Sequence, residues 1–172
     1  MAVVFRRAMG EQAMKLSTKG RYAVTALADI ALNGEARPVT LAEISARQEL
    51  SLAYLEQLFV RLRRAGIVDS VRGPGGGYLL ATVPEEIRIS DIMVAVDERL
   101  NAMGCDGKWE EGMGCGKSEE ACLTHNLWEK LSAHVHVFLS QTTIADVIGD
   151  RMVPCPAVPD FSELLEAEEA RA

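Results

Sequence analysis

Apolar positions recur at helical spacing from Ser17 to Asn33, through Ala23, Val24, Leu27, Ile30 and Ala31. That period predicts an amphipathic first helix, with Ser17 or Thr18 available as its N-cap. Thr40 and Glu43 have the spacing of a capping box ahead of Leu41, Ile44 and Ala46, so a second, shorter helix is expected to start there. A tight turn over Gln48 to Leu50 leads to Ser51, another N-cap residue, and to a third helix reaching Ala65. Leu52, Leu55, Leu58, Phe59 and Leu62 form its inward face, and Gly66 is placed to close it in a left-handed cap. Its outer face carries Tyr54, Glu56, Gln57, Arg61 and Arg64.

The next stretch reads IVDSV, then RGPGGG, then YLLA: two short strands joined by a turn rich in glycine and proline. Three helices and a hairpin predict a mainly α fold, a winged helix-turn-helix domain with a two-stranded wing, over residues 14–82. After Pro84 a helix is expected from Asp91 to Leu100, followed by a glycine-rich loop from Asn101 to Ala121 without apolar periodicity. From Leu123 onward, Leu127, Leu131, Val135 and Phe138 keep to one face of a helix long enough to leave its own domain. A shorter helix follows from Thr143. The expected organisation is therefore an extension over 1–13, the winged-helix domain over 14–82, a glycine-rich loop with further helices over 83–150, and a disordered, acidic, proline-broken tail over 151–172. Met14 heads a second plausible start.

Charge changes this picture through its distribution. The net charge is -7, which by itself speaks against a nucleic-acid partner. Residues 14–82, however, hold nine Lys and Arg against six Asp and Glu, a balance of +3; residues 1–13 add +1, which leaves -11 for residues 83–172. A chain polarised in this way can turn a basic face to phosphates and stay soluble through the other. No apolar run approaches the roughly 20 residues of a membrane span, and Arg6 and Arg7 stand where a signal peptide would be apolar. A cytoplasmic protein without membrane association is expected.

A helix that enters the major groove needs a polar N-terminal face and a preceding helix that fixes its angle. Ser51, Tyr54, Glu56 and Gln57 occupy such a face: Gln57 can pair with adenine, Glu56 can accept from a cytosine amino group, and Ser51 and Tyr54 can bond phosphate or base. Arg61, Arg63 and Arg64 offer phosphate neutralisation, and Arg72 stands at the start of a narrow hairpin tip suited to the minor groove. GPGGGY lacks the lysine and the following helix of a phosphate loop, which excludes a nucleotide-binding reading. Glu49 sits in the helix–helix turn where glycine is common; a left-handed conformation there costs about 1 kcal/mol, unless the turn takes another shape.

Cys105, Cys115, Cys122 and His125 supply three thiols and an imidazole, a complete four-ligand set. Cys122 and His125, three residues apart, can share one face of a first helical turn. Ligand chemistry alone makes zinc the first candidate; free thiols or a disulfide are the alternatives, the latter disfavoured in a reducing compartment. Cys155 reads as a spare thiol between prolines, and His134 and His136 as surface or interface residues. No base, nucleophile and cleft accompany the thiols, so an enzyme is not expected.

The residues become specific in LSTKGRYAVTAL, in SLAYLEQLFVRLRRAGIVDSVRGPGGGYLL, in AVDE at 95–98 and in CLTHNLW at 122–128. With these stretches the chain resembles the IscR family of bacterial iron-sulfur cluster assembly regulators, from about Met14 to Asp150. The resemblance implies a 2Fe-2S cluster on Cys105, Cys115, Cys122 and His125, ahead of zinc. It also implies a homodimer crossing through the long helix, and iron-sulfur assembly proteins as cluster donors. The double-stranded DNA operator would be contacted by Ser51, Tyr54, Glu56, Gln57, Arg63 and Arg72, with Glu56 discriminating between operator classes. Such regulators repress, and at some promoters activate, genes of iron-sulfur assembly or iron homeostasis. Two departures stand out: Ala53 replaces a serine of close relatives, and the spacings Cys105 to Cys115 and Cys115 to Cys122 are longer.

Overall fold

In the computed structural model the described residues are 18–34, 37–98 and 124–151. The order of elements is α1 (Thr18–Asn33), α2 (Leu41–Gln48), α3 (Leu52–Arg64), β1 (Val68–Val71), β2 (Gly77–Leu80), α4 (Ile89–Ala95), α5 (His125–Gln141) and α6 (Ile144–Ile148). This is a winged helix with an appended long helix, as the sequence pattern predicts.

Local chemistry sets most of the boundaries. Thr40 caps α2 by accepting from the Glu43 N–H, while the Glu43 carboxylate accepts from the Thr40 N–H, so the expected capping box is complete. At the other end of α2, Glu49 does adopt the left-handed conformation (φ 54°, ψ 37°), and the Leu50 N–H reaches back to the Ser45 carbonyl. The Ser45 hydroxyl ties the same corner by donating to the Leu50 carbonyl at 2.5 Å. α3 ends as the glycine predicts. Gly66 is left-handed (φ 72°), its N–H bonds the Arg63 carbonyl and the Ile67 N–H bonds the Leu62 carbonyl, which together make a Schellman motif.

The core is shared by nearly every element. Ala23, Ala26, Leu27 and Ile30 of α1, Ile44 of α2, and Leu55, Leu58, Phe59 and Leu62 of α3 bury together with Val68 of β1. Ile89, Ile92 and Met93 of α4, with Val96 at its end, and Ile144 of α6 belong to the same cluster. One inward assignment fails: Leu52, the first residue of α3, is 42% exposed. It sits ahead of the first full turn, before the helix has another element to cover it.

The helix expected over Asp91 to Leu100 is shorter and earlier, Ile89–Ala95, because Asp97 turns left-handed (φ 57°) and ends it. Among the described side chains of α5 none is fully buried. Its foot is anchored instead: the Ile89 N–H bonds the Thr142 carbonyl at 2.9 Å, the Ile144 N–H bonds the Ile87 carbonyl at 3.0 Å, and Arg88 donates to the Ser140 carbonyl. α6, with its own capping box of Thr143 and Asp146, then packs back on α1. Among the described residues no helix is long and apolar enough to cross a membrane. The expected terminal extension, the glycine-rich loop and, beyond Arg151, the acidic tail lie outside the described residues.

Candidate nucleic-acid interface

The angle between α2 and the rest of the domain is held by a buried charge. Asp29 of α1 is 2% exposed and accepts from Arg47 at both oxygens, 3.0 Å from Nε and 2.5 Å from Nη2, and from Gln48 Nε2 at 2.8 Å. Burial pushes the Asp29 carboxyl up, but hydrogen bonds from Arg47 and Gln48 and the Arg47 charge outweigh it and hold the group below its ordinary value. Arg37 grips Glu43 in the same region with two hydrogen bonds, and with Thr40 lowers that carboxyl to about 2.

α3 presents the expected polar face. Ser51 holds the N-cap position with an extended backbone, yet its side chain makes no cap hydrogen bond. Ala53, Glu56, Gln57 and Arg64 are exposed, and the side chains of Glu56, Gln57 and Arg64 have no hydrogen bond or ion pair among the described residues. Tyr54 is less free than an outer-face residue: it is half-buried, and its ring meets Tyr22 of α1 edge-on, with centroids 5.7 Å apart. Arg63 leans toward the wing and donates to the Ser70 hydroxyl at 3.5 Å. Arg61 turns toward the end of α4, where Nη1 donates to the Val96 carbonyl at 3.0 Å.

The wing is stiffer than a two-stranded hairpin. β1 and β2 pair antiparallel, with Val68 opposite Leu80 and Val71 opposite Gly77. Val39, in the connection between α1 and α2, forms a further bridge: its N–H bonds the Tyr78 carbonyl at 3.0 Å and its carbonyl accepts from the Tyr78 N–H at 2.8 Å. Periodicity could not reveal this single-residue edge. At the tip the Gly76 N–H bonds the Gly73 carbonyl at 2.9 Å across Pro74 and Gly75, and Gly75 has φ 77°, which is a type II turn. GPGGGY thus joins two strands and opens no helix. Arg72 is exposed just before this turn.

The structure places the metal-ligand candidates only in part. His125 is the first residue of α5, whereas Cys105, Cys115 and Cys122, like Cys155, lie outside the described residues. Among the described residues no group of three or more His, Cys, Asp or Glu side chains could hold a metal ion. His134 and His136 are exposed on α5, and His134 Nδ1 is bonded to the Lys130 carbonyl at 2.7 Å. α5 also exposes Leu127, Trp128, Val137 and Phe138.

Sequence reasoning missed the Asp29–Arg47–Gln48 lock, the Val39 edge and the Tyr22 support of Tyr54. A signal existed for the first. Asp29 interrupts the apolar run ALADIAL one residue before a core isoleucine, where a lone carboxylate needs a partner.

Residues 16–150 match Rrf2, described as an iron-dependent transcriptional regulator. The chain belongs to the Rrf2 family. An HTH-type transcriptional regulator IscR of Cereibacter sphaeroides is 54% identical over 157 residues, covering 90% of this chain and all of that one. An HTH-type transcriptional regulator IscR of Escherichia coli is 51% identical over 140 residues, covering 81% of this chain and 83% of that one. Among solved structures, T. potens IscR superposes with a TM-score of 0.63 at 35% identity, covering 90% of this chain and 99% of that one. CymR, titled the global cysteine regulator of B. subtilis, gives 0.65 at 31% identity, covering 80% and 98%. This Rrf2 protein is a transcriptional regulator, the role for which both of those IscR relatives are named.

Proposed function

We propose that the chain is a homodimeric DNA-binding regulator that reads operators with α3 and the wing and senses iron-sulfur status through a 2Fe-2S cluster. The observation that carries the DNA half is the pairing on one molecule of the exposed Glu56 and Gln57 of α3, whose side chains have no partner among the described residues, with Arg72 on a wing braced by Val39. Gln57, Glu56, Ser51 and Tyr54 face the major groove, Arg63 and Arg64 neutralise phosphates, and Arg72 enters the minor groove. Glu56 discriminates between operators: a carboxylate brought against bases that cannot donate to it loses water without compensation.

For the sensing half, the donor chemistry supports the reading. Three thiolates and an imidazole complete a ligand set, and His125 is the first residue of the long helix α5, within a family described as iron-dependent. Cys105, Cys115, Cys122 and His125 would hold the cluster. When bound, the cluster supplies an occupancy that follows iron and sulfide supply. The exposed Leu127, Trp128, Val137 and Phe138 support dimerisation through α5, since an apolar helix face of this kind gains by meeting a second copy. The regulator acts mainly as a repressor in the cytoplasm, and as an activator at other promoters. It controls genes of iron-sulfur assembly or iron homeostasis, with assembly proteins as cluster donors.

Anaerobic isolation of the full chain tests this. Visible absorption with stoichiometric iron and acid-labile sulfide is expected, and Cys105→Ala abolishes both while changing operator choice. A colourless protein retaining zinc would reverse the assignment in favour of a structural metal.

A further inference from the structure

The AVDE stretch, residues 95–98, closes α4, and α1 and α3 both meet it. α4 ends there in a Schellman motif: the Asp97 N–H bonds the Val94 carbonyl at 3.1 Å and the Glu98 N–H bonds the Met93 carbonyl at 2.9 Å. Asp97 holds the left-handed position that glycine would occupy without strain. From α1, Gly20 presses against the same corner, since a Cβ added to it would lie 2.5 Å from Met93 Sδ and 3.3 Å from Glu98 Cγ.

Arg61 of α3 completes the junction. Its Nη1 donates to the Val96 carbonyl at 3.0 Å and stands 4.0 Å from Asp97 Oδ2. The Val96 carbonyl is a helix-end acceptor with no intrahelical donor, and the end of a helix that carries free carbonyls favours a cation. Arg61 also follows Gln57 by four residues, so the row of α3 that presents Gln57 is anchored one turn later.

We propose that Arg61 is a positioning residue, which sets the seating of α3 in the groove by fastening its last turn to Val96 and Asp97. The assignment rests on α3 being the helix that reads bases. Arg61 differs in this from Arg63 and Arg64, which reach toward the wing and the solvent. A phosphate contact strengthens binding to any duplex and steepens its salt dependence, whereas a positioning residue acts only where base edges must be met in register.

The test uses the full chain and a duplex selected by the wild-type protein from a random-sequence library, with a scrambled duplex as reference. Arg61→Ala is expected to lower affinity for the selected duplex about tenfold, to leave the scrambled duplex unaffected and to leave the slope of affinity against salt unchanged. Asp97→Gly removes the carboxylate but keeps the left-handed turn, so it folds; its smaller loss should disappear in the Arg61→Ala background. A slope reduced by about one, equal losses on both duplexes, additive losses in the double variant, or no loss at all would each overturn the proposal. Gln57→Ala separates this from the broader reading: if it too leaves selected-duplex binding intact, α3 is not the reading helix, whereas a harmful Gln57→Ala beside a neutral Arg61→Ala removes the positioning role alone.

Discussion

Asp29 and Arg47 meet across the α1–α2 contact with two hydrogen bonds, the carboxylate almost fully buried and the guanidinium 36% exposed. The pair fastens α2 to α1 just ahead of α3, and so ties the angle of the α2–α3 pair to a residue of α1. Because the folded-state pKa of Asp29 lies below its ordinary value near 4, the stability it contributes is present above that value and is lost as pH falls through the folded pKa. Asp29→Ala should cost about 2 kcal/mol at pH 7, less than a fully buried pair because Arg47 can turn to water. Urea unfolding at pH 7 and pH 3 checks this: the gap between variant and wild type should narrow at the lower pH.

Glu49 carries backbone strain at φ 54° without any hydrogen bond or ion pair of its side chain among the described residues. Glu49→Gly should therefore stabilise the protein by up to about 1 kcal/mol, since glycine adopts the left-handed turn freely. An increase in the thermal midpoint with unchanged operator affinity is the expected result.

Gly77 is required by the strand edge beside it. A Cβ there would lie 2.5 Å from the Val39 oxygen and 2.7 Å from its carbonyl carbon, and backbone cannot move aside as a flexible side chain can. Gly77→Ala should destabilise by about 1–3 kcal/mol and speed hydrogen exchange at the Val39 and Tyr78 amides, whose bonds brace the wing.

Arg72→Ala tests the wing itself. Operator affinity should fall about tenfold or more, with the largest loss on sites whose flank is A/T-rich and therefore narrow in the minor groove, while the fold is untouched because Arg72 is exposed. Titrations against duplexes differing only in that flank would show the dependence; equal loss on every flank would argue for a plain phosphate contact.

Glu56→Ala should relax operator choice without altering dimerisation. The carboxylate is exposed and has no partner among the described residues, so its removal leaves their interactions intact. Binding to two operator classes by cluster-loaded and cluster-free protein provides the measurement, and a variant that kept the wild-type preference in both states would contradict the role given to Glu56.

The elements themselves were legible in the sequence because each depends on neighbours along the chain. The Thr40–Glu43 box, the Gly66 cap, the 3.6-residue rhythm of α1, α3 and α5, and the GPGGG turn are all local devices, and they appear where their residues stand. The polar face of α3 followed from the same rhythm. What the chain order could not reveal is who meets whom across long separations. Arg61 meets a carbonyl at the end of α4, thirty-five residues away, and Asp29 looked like an ordinary charge until α2 brought Arg47 and Gln48 to it. Val39 became a strand edge only because β2 passed beside it. Such pairings depend on how the helices pack, a collective outcome of burying one core, and no short window of residues contains that information.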